Sequence, residues 1–385
     1  MKAVVVLSGG QDSATCLALA VKEYGADEVA AITFEYGQRH ALETKYAKKL
    51  VRHFKVKTHN VVKLDFYKQL TTNALMDKKR KIEKRAGEKC PSTVVEGRNA
   101  IFLMSAAVWA KSLGAHVLYT GVSEADYSGY PDCREEFIKA QEKAICLALD
   151  YEIRIVTPFM HMSKMDEWAI ADKLGIMSLI EKNTLTCYNG IPGEGCGECP
   201  SCKLRNRGLN SYKVLKEMTA LMEGGDVMLI PTDTVYGLAA HPDHPEAIEK
   251  IYALKGRDEK KKIALLCADA EVAARYIGKA AAKIGEKYWP GALTIVAKGE
   301  GVRVPDSKLL RELLRRFGGA LRVTSANFSG QPPATTTVEA AKLGIEWKIA
   351  SYPIWDDLPG TASSVWEVKG GKVKVLREGP VKLER

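Results

Sequence analysis

The chain has 385 residues, 46% of them apolar and 27% charged, with a formal net charge of +10. That composition excludes a disordered, collagenous or membrane-spanning protein, and the length predicts two domains rather than one core. The positive charge points to anionic partners, nucleotides or nucleic acid. Met1-Lys2 leads straight into an apolar run with no small-residue cleavage site, so a cytoplasmic chain is expected, and its nine cysteines are expected as metal ligands and buried thiols rather than disulfides.

Lys2 to Leu7 is apolar and β-branched, the pattern of a buried parallel strand. Ser8-Gly9-Gly10-Gln11-Asp12-Ser13 follows, then a helical run from Ala14 to Ala20. The glycine pair permits a tight turn, and Ser13 is the expected helix cap. Such a corner aims backbone N–H groups and a positive helix end at one spot, which suits phosphate. No Gly-Lys-Ser/Thr follows at the spacing of a Walker A loop.

Val29 to Phe34 predicts a second strand, ending in Glu35-Tyr36-Gly37-Gln38-Arg39-His40. A helix is expected over 41–54, a strand over 58–64, and a polar loop over the site at 73–95. Val95-Glu96-Gly97-Arg98-Asn99 leads into a helix over 101–113 and a strand over 117–120. Then comes a loop carrying Asp126, Tyr127, Tyr130, Asp132 and Arg134, whose Tyr, Asp and Arg side chains suit base stacking and hydrogen bonding. A helix over 135–149, a strand over 153–156 and a helix over 164–174 complete the alternation. Its short turns predict a doubly wound parallel α/β sheet with the site at the carboxyl ends of the strands. His161, among Met160, Met162 and Met165, is expected as a packed imidazole. Cys187-x8-Cys196-Gly-Glu-Cys199-Pro-Ser-Cys202 has the turns to place four thiolates tetrahedrally, which predicts structural zinc; redox and iron–sulfur roles are the alternatives.

A helix over 209–222 is followed by Gly224-Gly225, the expected domain boundary, and a new strand starts at 226–230. Beyond it, Thr232, Tyr236, Lys255, Arg257, Lys261, Arg303, Ser325 and Asn327 lie in separate Gly-punctuated loops, a composition suited to a nucleotide phosphate site.

Residues 1 to 222 resemble the 7-cyano-7-deazaguanine synthase (QueC) family, an adenine nucleotide alpha-hydrolase-like fold of ATP pyrophosphatase type. The matching segments are Ser8 to Ser13, Tyr36-Gly-Gln-Arg39, Gly97-Arg98-Asn99, Asp126 to Arg134, Thr157-Pro-Phe-Met-His-Met-Ser-Lys164 and the four cysteines. Glu96 departs from the usual Pro. The resemblance implies that 7-carboxy-7-deazaguanine and ammonia become the nitrile preQ0 at the expense of two ATP, a step toward queuosine or archaeosine in tRNA. Free ammonia is the expected donor, since no glutaminase motif is visible. It implies Leu7, Ser8, Gly9, Gly10, Gln11, Asp12 and Ser13 on ATP, with Asp12 near Mg²⁺. Arg98, Arg134 and Lys164 would stabilise charge, and Tyr36, Gln38, Arg39, Asn99, Asp126, Tyr127, Tyr130 and Asp132 would bind substrate.

Residues 224 to 385 resemble the YrdC-like threonylcarbamoyl-AMP synthase family, a twisted open α/β domain with a basic concavity. The resemblance implies L-threonine, bicarbonate and ATP as substrates. Lys255 and Arg257 would be catalytic; with Lys261, Arg303, Ser325 and Asn327 they would bind ATP, and Thr232 and Tyr236 would lie near the substrate. Lys262 and Asp258 stand where that family usually has Pro. The expectation is a multifunctional ligase and nucleotidyltransferase. Alternatives are a non-catalytic second domain binding double-stranded RNA, or a first half serving a macromolecule-modifying system; a homo-oligomer is left open.

Overall fold

The computed structural model describes the chain except residues 40–41, 72, 77–90, 125–129, 337–338, 340–357, 359 and 384–385. Strands Ala3–Val6 (β1), Val29–Glu35 (β2), Thr58–Lys63 (β3), Val117–Tyr119 (β4) and Arg154–Val156 (β5) form a sheet in the order β3-β2-β1-β4-β5. Every neighbouring pair is parallel. Ala3, Val4 and Val5 have no exposed surface, which is why β1 is uniformly apolar rather than alternating. One helical group, Arg98–Ser112 with Glu135–Leu149, and another, Gln11–Tyr24 with Lys164–Lys173 and Met177–Asn183, pack together, and β1 touches both. Leu103, Ile138 and Ile145 close over Val4, Ile32 and Leu118 in the main core of this half. The strand order reverses between β1 and β4, so the loops leaving them, residues 7–10 and 120–124, bound the crevice where ligands bind in such sheets.

Three local expectations are corrected. Ser13 does not cap the first helix: Gly10 is the N-cap, with φ −84° and ψ 172°, and Ser13 lies in the first turn. The helix expected from residue 209 begins nine positions earlier, as Pro200–Glu223. Proline suits the first helical position because its missing N–H has no helical acceptor there, so the cysteine turn runs directly into the helix. His161 is 68% exposed and lies 3.7 Å from Glu135, rather than packing among the methionines. The loop expected at 73–95 falls largely outside the described residues.

The second half forms a mixed sheet. Its strands are Met228–Pro231 (β6), Tyr236–Ala240 (β7), Leu265–Cys267 (β8), Leu293–Ala297 (β9), Glu300–Arg303 (β10), Ala320–Ser325 (β11), Ser364–Lys369 (β12) and Lys372–Arg377 (β13). They are ordered β13-β12-β9-β10-β8-β11-β7-β6. β8 with β10 and β9 with β12 are parallel, and the other pairs antiparallel. One core gathers Leu265, Ile295 and Trp366, another Leu238, Ile251 and Ile263. By compactness the chain divides into Met1–Tyr212 and Lys213–Arg385, the division falling inside helix Pro200–Glu223, ahead of the glycine pair.

Gly121, just past β4, lies so close to the first helix that a Cβ there would stand 2.8 Å from Asp12 Cβ and 3.0 Å from Ser13 N. Gly121→Ala should therefore cost about 1–3 kcal/mol through overpacking. Urea unfolding should show a lower midpoint with an unchanged slope; an unchanged midpoint would refute so tight an approach.

Candidate functional site

The corner after β1 is held by its own side chains. Ser8 N–H donates to Ser13 Oγ at 3.1 Å, Ser13 Oγ donates to Gly10 O at 3.1 Å, and Gly10 N–H donates to Ser8 Oγ at 3.3 Å. Gly9 has φ +88°, and a Cβ there would stand 2.5 Å from Glu43 O. A side chain would be excluded on both counts, so the glycine fixes how closely helix Leu42–His53 approaches the loop. A segment that sequence reasoning did not connect also braces the corner: Leu185 N–H donates to Gly9 O at 2.9 Å and Gln11 N–H to Thr186 Oγ1 at 3.2 Å. The Asp12 and Ser13 N–H groups lie in the first helical turn, where a helix offers no acceptor. Leu7 and Gln11 are buried, each 1% exposed.

Asp12 and Lys164, singled out separately, meet: Lys164 Nζ lies 2.8 Å from Asp12 Oδ1 and 2.6 Å from Glu167 Oε1. Glu167 has no exposed surface, and burial, reinforced by the Asp12 charge, holds its carboxyl well above the usual range. Lys164 thus sits between two carboxylates, that of Asp12 and that of the fully buried Glu167. Glu167 was missed, although its spacing of three from Lys164 on one helix was the available signal.

A second group gathers the remaining candidates of the first half. Arg98 Nη1 donates to Tyr36 Oη at 3.3 Å, with its guanidinium 5.8 Å from the Tyr36 ring and 5.9 Å from the Phe102 ring. Burial opposes the Arg98 charge, but Tyr36 and Asp132 more than offset it. Burial pushes the Tyr36 hydroxyl up to about 12 and the neighbouring Glu43 carboxyl up to about 7, the latter lowered in part by Arg98. Asn99 donates from its backbone to Asp132 Oδ2 and from its side chain to Asp132 O, each at 3.0 Å. Gly97, at φ +67°, makes the left-handed turn that starts this helix at Arg98. Gln38 is spent on its own turn, accepting from Tyr36 N–H at 2.8 Å and donating to Phe34 O at 3.2 Å. Arg39 N–H donates to Leu75 O at 2.7 Å. Arg134 is exposed at the start of helix Glu135–Leu149. Asp126 and Tyr127 lie outside the described residues.

The Sγ atoms of Cys187, Cys196, Cys199 and Cys202 all lie within 4.8 Å of one another, Cys196 and Cys202 at 3.9 Å. Edges of a zinc–sulfur tetrahedron with ~2.3 Å bonds are close to ~3.8 Å, so the donor set fits a metal ion such as zinc. Burial works against the Cys196 thiolate, but N–H groups of Cys199 and Glu198 outweigh it and bring the thiol down to about 6. Tyr188, beside the first cysteine, ties this cluster to the segment ahead of helix Glu135–Leu149: its hydroxyl lies 3.3 Å from that of Tyr130, which in turn lies 2.5 Å from Thr93 Oγ1.

In the second unit, Lys255 unites three candidates. Its Nζ donates to Ser325 O, to Asn327 O at 2.8 Å and to Asn327 Oδ1 at 2.7 Å. Burial, followed by the charge of Arg257, lowers this amine to about 8. Arg257 is turned to its own loop, donating to Lys261 O at 2.9 Å and to Lys262 O at 3.3 Å, and Lys261 is exposed. Arg303 is buried in an ion pair with Asp233 at 2.6 Å and donates to Thr234 Oγ1 at 2.9 Å and Gly291 O at 3.0 Å. Thr232 is also committed, donating to Val235 O at 2.7 Å, and buried Tyr236 pairs across to Ala326 and Ala334. Sequence spacing did not reveal Asp233 as a partner of Arg303, because 70 residues separate them.

If the quartet holds a metal ion, Cys202→Ser should lower bound metal per chain well below one, read by elemental analysis, and lower the thermal midpoint, since metal binding at such sites is coupled to folding. Full metal retention would remove Cys202 from the ligand set.

Residues 2–213, more than half the chain, match the family model described as queuosine biosynthesis protein QueC, and residues 220–379 match the Sua5/YciO/YrdC model described as telomere recombination. Among solved structures, P. abyssi Sua5 in complex with L-threonine is similar at 23% identity and TM-score 0.37, over 44% of this chain and 54% of that one. A P. abyssi Sua5 variant is similar at 22% and 0.39, over 45% and 58%. E. coli YciO is similar at 21% and 0.39, over 44% and 91%. The chain thus spans little more than half the length of the Sua5 chains it matches. Among the described residues no helix is long and apolar enough to cross a membrane. The chain belongs to the QueC family of queuosine biosynthesis proteins, here continuous with a Sua5/YrdC domain.

Proposed function

We propose that residues 1–222, the compact unit Met1–Tyr212 with the rest of helix Pro200–Glu223, convert 7-carboxy-7-deazaguanine, ammonia and two ATP to 7-cyano-7-deazaguanine, and that the remainder makes L-threonylcarbamoyl-AMP from threonine, bicarbonate and ATP. The observation that carries the first reading is the self-braced Ser8 to Ser13 corner at the strand-order reversal, one of whose glycines contacts the same helix that brings Glu43 beside Arg98.

The chemistry asks for charge handling rather than a protein nucleophile. The substrate carboxylate attacks the α-phosphorus of ATP, and the bond to the β-phosphate oxygen breaks to release pyrophosphate. Ammonia then displaces AMP and loses a proton, leaving the amide. The amide oxygen attacks a second ATP in the same way; loss of AMP and the remaining N–H protons leaves the nitrile. Backbone N–H groups of the corner would hold the departing pyrophosphate, and Lys164 would set the position of Asp12. Arg98 would offset the substrate's charge while Asn99, held by Asp132, fixes the purine edge. Mg²⁺ would arrive with the ATP phosphates, Asp12 offering its remaining carboxylate oxygen. Zinc on the four cysteines would supply a cross-link that keeps Tyr188 against Tyr130.

In the second unit Lys255 would offset charge at the α-phosphate by exchanging one of its three acceptors, Ser325 O, Asn327 O or Asn327 Oδ1, for a phosphate oxygen. Arg303, committed to Asp233, would set the pocket wall rather than lead the charge transfer. Cytoplasmic tRNA modification is the setting both products suit.

Purified full-length protein given each substrate set separately should release pyrophosphate in both assays. Asp12→Asn should slow only the deazaguanine reaction and Lys255→Ala only the threonine reaction, each by about 100-fold or more. No pyrophosphate in the threonine–bicarbonate assay would reduce the second unit to a binding module.

The lowered Lys255 amine gives that second reaction a pH signature. Only the ammonium can pair with phosphate, so kcat/KM should fall as pH rises through about 8. Lys255→Arg, charged throughout, should flatten the falling limb. An identical limb in that variant would exclude Lys255 as the titrating group.

A further inference from the structure

Amide formation requires a proton to leave nitrogen, and no residue named so far takes it. Among the described residues, the carboxylates around the phosphate corner and Arg98 are mostly committed. Asp12 Oδ1 pairs with Lys164 at 2.8 Å, and Glu167 pairs with the same amine and has no exposed surface. Asp132 Oδ2 accepts the Asn99 N–H at 3.0 Å, and Glu96 Oε2 accepts the Thr71 hydroxyl at 2.7 Å.

Glu43 differs from all of these. It lies in the first turn of helix Leu42–His53, and its carbonyl oxygen would stand 2.5 Å from a Cβ on Gly9, so its backbone touches the corner. Its carboxyl is an electrostatic neighbour of the second group: Arg98 lowers it, and it raises the Tyr36 hydroxyl. Among the described residues these are the charged and titratable groups coupled to it, and it has neither a hydrogen bond nor an ion pair. The residue is partly exposed, and its carboxylate oxygens are not among the sealed, unpartnered atoms of the interior. Burial, opposed by Arg98, brings this carboxyl to about 7, so it can both take up and release a proton near neutrality.

We propose that Glu43 is the base of the ammonia step in the first unit, an inference that rests on the deazaguanine reading above. The acyl carbon of the adenylate joins the AMP phosphate to the deazapurine, and Glu43 joins the phosphate corner to Arg98 in the same way. Ammonia nitrogen bonds to that carbon, the bond from carbon to the AMP oxygen breaks, and AMP leaves with the electron pair. One N–H proton passes to the Glu43 carboxylate, which returns it to solvent on its exposed side. The amide keeps the other two protons.

Two half-reactions of the full-length protein separate this role from a structural one. Pyrophosphate exchange into ATP with 7-carboxy-7-deazaguanine reads adenylation, and amide plus nitrile production on adding ammonium reads the base. Glu43→Gln should slow the second about 100-fold more than the first. In the native protein kcat/KM for free ammonia should rise with pH and level off above about 7, because the carboxylate is the active form. That limb should vanish in Glu43→Gln. Hydroxylamine, whose nitrogen gives up its proton more readily, should restore the variant about 10-fold relative to ammonia. Equal loss in both half-reactions with an unchanged urea midpoint, unaffected amide formation, or a native profile without the limb would overturn the proposal. No exchange in the native protein would instead refute the deazaguanine reading, and this role with it.

Discussion

The first unit depends on how closely backbone can approach the start of one helix. Gly9 lets Leu42–His53 reach the phosphate corner, and Gly121 lets the loop after β4 reach Asp12 and Ser13. A Cβ at either position would push these segments apart and open the point where the strand order reverses. The corner is thus defined by three segments far apart in sequence, with residues 185–186 closing it through two hydrogen bonds. The cysteine motif belongs to the same structural unit, since Leu185 of that closing segment packs with Cys187, Cys199 and Cys202.

Beside the corner the fold tolerates a costly group of charges. Lys164 is nearly buried and Glu167 has no exposed surface, so removing them from water incurs a penalty that their attraction to each other and to the partly exposed Asp12 need not recover. Such an arrangement is weak evidence for stability and better evidence for position: it fixes one carboxylate at the helix N-terminus with little freedom to rotate. Lys255 in the second unit is handled differently. Three oxygen acceptors surround its amine, yet burial keeps it easy to deprotonate. The two units share adenylate chemistry as proposed but arrange their key ammonium groups by different means.

Much of this was legible from residue patterns. An uninterrupted apolar run marked β1 as a buried strand, the alternation of strands and helices gave a parallel sheet, and Cys-x2-Cys steps located the cysteine quartet. Those features are local: each depends on side-chain type at fixed spacing along a few turns or one strand. The role of Ser13 was misread because serine satisfies either a cap or a loop brace, and only the extended Gly10 decides between them.

Sequence by itself therefore determined the sheet class of the first half, the strand-to-helix corner after β1 and the cysteine quartet, since hydrophobic periodicity and short motifs encode them directly. Tertiary structure alone decided that Lys164 faces Asp12, that Arg303 is committed to Asp233, and that Glu43 neighbours Arg98. Those outcomes depend on which segments meet after the chain has folded, and long-range pairing leaves no mark in the spacing of residues.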